Sequence, residues 1–537
     1  MTSLNGFVKR TGKTLSDPST NAPLRFLSFN TPTLHLHDDP QFVVPTEYEQ
    51  DDLLASIVEM GGRVVRVYSL GVQTPQEDST ATKHIIKSGS GVALNERVLR
   101  GLDAALSVAN RRGVRVIIPL IDRWEWWGGV ESFVRLVNPT LPPSAFYTDN
   151  AIRDQFKSIV QQLVNRVNTI TNITYKDDPT ILAWETGNEL ELDGKRIPGD
   201  WTVDIASHIK SLDQNHLVMD GSWKHGWDEQ VLRSANVDIF SNHYYRDVRF
   251  STGEWIGIGA LAAVIGVAVI IGAMAACMPR RVGWIKVQEE SKQSIKSRYR
   301  NRRVITVILA LLIILGSAGG LTALILHRIS NPQYGAWSAS DADTVSSYDK
   351  VFITGEYGLA SASSLQGVMD NVVQNKPGFA GALLWSLRGH SKDGGFYVHK
   401  EMQGYWSYHY PGFPTADGFG EDESTVVPMV ASYAAQLAKQ TNFNIPPKAI
   451  PSSPTLLNTT TPELKWRGVS GSSSYDVERS VGSDLWNVVA TVVDAKKPGE
   501  TLFVDQNVQV GKTYMFRVRA RNSVGVSNPS NVVNIGL

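Results

Sequence analysis

The chain has 537 residues, with 52 basic and 52 acidic side chains, so its formal charge is zero. That removes the electrostatic ground for nucleic acid as a partner, and the length asks for a large domain with a smaller one beside it. A single cysteine, Cys277, excludes an intramolecular disulfide.

The N-terminus, MTSLNGFVKRTGKT, has no apolar core of the kind a secretory signal needs, so none is expected there. Two N-glycosylation triplets, at Asn172 and Asn458, are weak pointers to a secretory route. Apolar or β-rich runs follow at 25–30, 64–70, 115–122, 181–189, 217–222, 237–245, 351–358 and 379–387. Amphipathic helical patterns lie between several of them, at 48–60, 96–112, 151–171 and 201–212, and a last one at 424–439. Eight strands alternating with helices predict the α/β class and a parallel (β/α)8 TIM barrel.

The barrel pattern is interrupted after its sixth strand. Residues 255–277 and 304–326 are two uncharged runs of 23 residues, each long enough to span a bilayer. Between them, 278–303 carries nine basic residues against Glu289 and Glu290. By the positive-inside rule this loop is expected in the cytoplasm. The expectation is a transmembrane helical hairpin over 255–326 that touches membrane lipid and leaves both flanks on the extracellular or lumenal side. Small residues such as Gly272 and Gly316 suit close helix packing, or fall there by chance. The barrel is then split into 1–254 and 327–442. Prolines mark a linker at 443–450. Residues 451–537 show short alternating strands without helical periodicity, which predicts a small, separable all-β sandwich.

Barrel enzymes carry their working groups at the C-terminal ends of strands. The fourth run ends Ala183-Trp-Glu-Thr-Gly-Asn188-Glu189, and the seventh ends Thr354-Gly-Glu356-Tyr-Gly358. Strands four and seven face each other across a barrel mouth. Two carboxylates placed there suit cleavage of a glycosidic bond, which needs one on each side. A lone strand-end Glu is more often structural; the pair in these contexts is far more specific. Fourteen tryptophans fit such a reading, because an indole face complements the C–H face of a sugar, although many tryptophans are simply core.

These motifs resemble glycoside hydrolase family 5, over roughly residues 5–440 without the insertion. The resemblance implies Glu189 as acid/base, Asn188 as a ligand of the sugar 2-hydroxyl and Glu356 as nucleophile. It implies that Arg66, in Val64-Val-Arg-Val-Tyr68, keeps the nucleophile ionised. His243 and Tyr245, in Asn242-His-Tyr-Tyr, match the family's His-x-Tyr, and Trp385 matches the tryptophan flooring the cleavage subsite. Asp122-Arg-Trp-Glu-Trp-Trp-Gly-Gly129 is similar to a mannanase loop and puts Trp124 among the substrate-binding residues, with Asp122-Arg123 where mannanases carry Asn-Asn. Taken singly, Arg66 is equally a buried structural cation, and His243 and Tyr245 a satisfied core pair. The stretch from Tyr514 to Asn522 resembles the closing strands of a fibronectin type III module.

The function expected is retaining hydrolysis of a β-linked polysaccharide, foremost endo-1,4-β-mannan, with no metal and no cofactor. A β-glucanase or cellulase, a transglycosylase on the same residues, and a non-catalytic carbohydrate-binding or adhesion protein are the alternatives. The intact Glu189/Glu356 pair favours turnover over the last of these.

Overall fold

A computed structural model of the chain describes residues 4–18, 22–38, 42–77, 82–223, 226–245, 252–277, 304–317, 319–320, 322, 333–482 and 485–536. It divides into two compact units, Met1–Tyr245 with Gln333–Leu537, and Arg246–Pro332.

The first unit is built on eight parallel strands. They are β1 (Phe26–Phe29), β2 (Val64–Arg66), β3 (Arg115–Pro119), β4 (Ile181–Glu185), β5 (Leu217–Asp220), β6 (Ile239–Tyr244), β7 (Val351–Tyr357) and β8 (Phe379–Leu384). Their hydrogen-bonded order runs β1-β8-β7-β6-β5-β4-β3-β2. A parallel bridge between Asn30 and Arg66, with the Thr31 amide donating to the Arg66 carbonyl at 2.9 Å, joins β1 to β2 and closes the barrel. The TIM-barrel expectation is met strand for strand.

The two-residue period of a strand sorts side chains between two cores. Val64, Ile117, Ile239, Val351 and Ile353 fill the barrel interior. Val65, Val116, Phe240 and Phe352 face outward into the layer shared with the helices. These helices include α1 (Glu47–Glu59), α2 (Glu96–Arg112), α3 (Asn150–Val164), α4 (Gly199–Leu212), α5 (Glu229–Arg233), α6 (Tyr334–Ser347), α7 (Ala362–Val373) and α8 (Glu423–Gln440). Local chemistry sets several ends. Thr46 and Glu49 form a reciprocal capping box on α1. Gly113, at φ 69°, ends α2 in the left-handed conformation that glycine adopts without strain. Helix α3 stops at Val164, short of the expected 171, because the chain then turns back through an antiparallel bridge between Val167 and Thr174.

Among the described residues of 451–536 the regular structure is all β, with a four-stranded antiparallel sheet of Asn487–Val492, Ser474–Val481, Thr513–Arg521 and Val533–Gly536, in that order, and two smaller strand pairs. This module packs on the barrel through several hydrogen bonds. The Tyr48 hydroxyl donates to the Gly468 carbonyl at 2.8 Å, and the Arg467 side chain to the Lys392 carbonyl at 2.8 Å. Buried His390 lies between Asp52 on α1, at 2.8 Å, and Asp494 of the β module, at 3.1 Å. The proline-marked linker therefore joins two parts of one compact body.

The second unit contains the helix Thr252–Cys277 and a helical run at 304–317. A methyl group on Gly272 would lie 3.4 Å from the Ala310 Cβ, so the two runs touch through small side chains. Val267, Ile270, Leu312 and Leu315 are exposed. Among the described residues no helix is long and apolar enough to cross a membrane. The transmembrane hairpin expected over 255–326, and the membrane-lipid contact expected of it, therefore find no support among the described residues. The basic loop at 278–303 lies outside the described residues.

Candidate active site

The strand ends bring six of the expected residues to one buried cluster at the barrel mouth. Arg66 follows Val64 in the inward register of β2 and is fully buried. His243 follows Ile239 and Ser241 in the inward register of β6. Glu356 reaches the interior differently. Val351 and Ile353 point inward, so strict alternation would aim Gly355 at the site and Glu356 away from it. The β6–β7 register pairs Asn242 with Thr354, then His243 with Glu356, leaving Gly355 as an extra residue. This bulge turns Glu356 inward. A Cβ on residue 355 would lie 2.8 Å from His243 Nε2, so only glycine fits.

Arg66 organises the carboxylates. Nη1 donates to Glu356 Oε1 at 2.7 Å, and Nη2 to Asn188 Oδ1 at 2.8 Å. Nε and Nη2 also form a fork on Glu185, at 2.6 and 3.1 Å. The Tyr245 hydroxyl donates to Glu356 Oε2 at 2.5 Å. His243 Nδ1 lies 2.8 Å from Glu189 Oε1 and 3.5 Å from Glu356 Oε2, bridging the two carboxylates. Glu189 itself has φ 52°, a strained backbone for a residue with a side chain and one found most often at functional sites.

Trp124 lies within this cluster. Its indole Nε1 donates to Glu189 Oε2 at 2.7 Å, while the ring remains 37 % exposed beside Trp223. Trp385 is half-buried 5.7 Å from the Tyr68 ring, and its Nε1 donates to Glu401 Oε1 at 2.8 Å. All eight expected residues therefore meet at one mouth. Motif reading passed over Glu185, Asp122, Tyr68 and Glu401. Glu185 and Tyr68 were visible as inward or strand-end positions next to named ones. Nothing in the sequence connects Glu401, 16 residues beyond Trp385, to that ring.

The electrostatics of the mouth are set by burial first and by the neighbouring charges second. The resemblance asks Arg66 to hold Glu356 ionised. Burial raises the Glu356 pKa above the ordinary carboxylate value and Glu189 adds to it, while His243 and Arg66 pull it down, the direction in which the resemblance has Arg66 act. Arg66 also forks onto Glu185, which burial lifts to about 7 against the pull of Arg66. Asp122 and Asp220, both buried, are lifted to about 7 and about 6. Burial lowers His243 to about 4, so its imidazole is neutral near pH 7 and donates through Nδ1–H to a carboxylate. Perturbed groups gathered in one mouth are the mark of a working site.

Glu189, His243 and Glu356 also have ligating atoms that all lie within 4.8 Å of one another, the one such group among the described residues able to surround a cation.

Residues 49–249 match the family model described as GH family 5 beta-mannosidase-like. A mannan endo-1,4-beta-mannosidase 1 of Solanum lycopersicum is 30% identical over 249 residues, covering 43% of this chain and 59% of that protein. A mannan endo-1,4-beta-mannosidase 7 of Arabidopsis thaliana is 37% identical over 139 residues, 24% of this chain and 31% of that one. The matched stretches thus span between about a third and three fifths of these relatives. The crystal structure of an endo-1,4-beta-mannanase from Rhizomucor miehei superposes with a TM-score of 0.52 at 18% identity, over 80% of this chain and all of that one, a likeness of fold.

Proposed function

We propose that the chain is a retaining glycosidase acting on β-linked polysaccharide, with 1,4-β-mannan as the foremost substrate. The observation that carries this reading is the approach of the Glu189 and Glu356 carboxylates to within 4.8 Å across the mouth. Retaining enzymes keep their carboxyl groups about 5 Å apart, and inverting ones leave room for a water between them.

The groups suit a double displacement. Glu356 attacks the anomeric carbon as the glycosidic C–O bond breaks, and Glu189 gives its proton to the departing oxygen. Water then attacks the glycosyl ester, Glu189 takes back a proton, and the ester bond to Glu356 breaks. Arg66 and the Tyr245 hydroxyl, both hydrogen-bonded to Glu356, hold the nucleophile in place and share its charge. Trp124 and His243 each grip one oxygen of Glu189 and fix the proton's path. Trp385 offers a half-buried face on which a pyranose stacks. Mannan is placed ahead of cellulose and β-1,3-glucan because the matching relatives are mannan endo-1,4-beta-mannosidases. We place the barrel on the extracellular or lumenal side, where such polysaccharide is met; the exposed Asn172 and Asn458 triplets support that side, and a peptide-N-glycosidase mass shift on the native protein tests it.

Assays against mannan, carboxymethyl cellulose and β-1,3-glucan test the activity and its preference. Azide added to Glu356→Ala is expected to restore cleavage of an activated glycoside with inverted product. Turnover by Glu356→Ala without azide contradicts the assignment.

A further inference from the structure

Asn188 sits between two partners that together leave its amide one orientation. Arg66 Nη2 lies 2.8 Å from one end, and an arginine only donates, so that end is the oxygen. The nitrogen therefore faces the other way, and Nδ2 donates to Asp122 Oδ1 at 3.0 Å. Asp122 is fully buried just beyond β3, and its backbone is tied to the same segment, with the Arg123 amide donating to the Asn188 carbonyl at 3.1 Å. Its second oxygen, Oδ2, is buried with no hydrogen bond of normal length. Asn188 thus uses one amide hydrogen on Asp122 and has a second to give.

We infer that Asp122 is the positioning residue of the site: by accepting from Asn188 Nδ2 against the pull of Arg66 on Oδ1, it aims the remaining Asn188 N–H at the sugar 2-hydroxyl. This rests on the reading of the mouth as a glycosidase site. A carboxylate needs a reason to be buried here, since burial and the Glu189 charge oppose its ionised form, which Asn188, the Trp124 amide and the Tyr68 hydroxyl favour. Burial dominates and lifts Asp122 to about 7, so the position is costly to keep ionised and would be cheaper apolar if it served packing alone. The departure from Asn-Asn at residues 122–123 thus falls on a residue with a geometric task.

The test uses the full chain and a β-mannoside with and without its 2-hydroxyl. Asp122→Ala frees the Asn188 amide to rotate and is expected to lower kcat/KM about 10- to 100-fold, mostly through kcat. Asp122→Asn keeps a carbonyl acceptor and is expected to recover most of that loss. On the 2-deoxy glycoside the Asp122→Ala loss is expected to shrink to about twofold or less. In an Asn188→Ala background, Asp122→Ala is expected to cost almost nothing more. Equal losses on both glycosides, or losses that add in the double variant, overturn the inference. If the wild type cleaves no β-glycoside, the glycosidase reading fails instead. The positioning is then decided by the Asn188 side-chain amide signals in 15N-asparagine-labelled protein. These are expected to be exchange-protected in wild type and unprotected in Asp122→Ala; unchanged protection overturns the inference.

Discussion

The two ends of the barrel handle buried charge in opposite ways. At the mouth, Arg66 faces Glu185 and Glu356 directly, with Glu189, Asp122 and Asp220 also buried nearby. At the base the imbalance is reversed. Asp17 receives Arg115 at 2.6 Å and Arg63 at 3.4 Å, and Asp238 receives Lys210 at 2.8 Å and Arg10 at 3.1 Å. The base binds each acid with two cations and ties the N-terminal hairpin Lys9–Thr11/Thr14–Asp17 across the strand starts. The mouth gathers carboxylates around one arginine, and burial pushes three of them to about 6 or 7. Under-compensated charge costs stability and is kept where chemistry uses it; paired charge closes the other end.

The largest effect expected from breaking this contrast is at the mouth. Glu189→Gln and Glu356→Gln are each expected to lower turnover about 10²- to 10⁴-fold or more while leaving the unfolding midpoint unchanged or higher. Steady-state kinetics beside a urea titration check both halves, and a large fall in stability would show that the site is structural.

The mirror experiment is Asp17→Ala. It leaves Arg63 and Arg115 buried without their acid, and breaking such a pair costs about 3–5 kcal/mol. Chemical denaturation reads that loss, with kcat at 25 °C expected to stay within about twofold of wild type. A stability change below about 1 kcal/mol would mean that the base ion cluster does not hold the hairpin.

His390 extends the comparison to the junction with the β module. Held by Asp52 and Asp494, its pKa is raised from the ordinary value to about 10. A histidine that binds its proton more tightly when folded stabilises fully below its unfolded pKa of about 6.5, and that contribution fades as pH climbs towards 10. Thermal unfolding of the wild type is expected to drop across this interval. In His390→Gln the drop is expected to be absent and stability at pH 6 to be lower by roughly 3 kcal/mol. Parallel pH profiles for the two proteins would remove His390 as the bridge.

The smallest effect comes from relieving the mouth without touching its proposed working pair. Asp220 is raised to about 6, so its ionisation opposes folding as pH rises through about 4 to 6. Asp220→Asn is expected to add about 1 kcal/mol above pH 7 and nothing near pH 4. Differential scanning at the two pH values checks the sign; a loss at high pH contradicts it.

Much of this was legible in the chain. Strand period and apolar runs located all eight barrel strands, and the strand-end rule with two short motifs located Glu189 and Glu356. The rest depended on long-range partners that local pattern does not encode. Glu185 has the same register as the interior residues, yet its role depends on Arg66, 119 residues away. Glu401 depends on the loop that returns under Trp385. The hairpin Ile85–Ser88/Gly91–Leu94 went unread although Ser88-Gly-Ser-Gly91 is a turn signal, and the short polar N-terminal hairpin offers almost no period to read. Hydropathy reports the apolar character of 255–277 and 304–326, and among the described residues no helix is long and apolar enough to cross a membrane.

The most direct test of the central claim is the stereochemistry of the first product. Proton NMR of the anomeric signal, recorded within the first turnovers on a mannooligosaccharide, is expected to show the β-anomer appearing first and the α-anomer only later by mutarotation, as a Glu356 glycosyl ester requires. The α-anomer appearing first would mean direct attack by water, and would contradict a double displacement between Glu189 and Glu356.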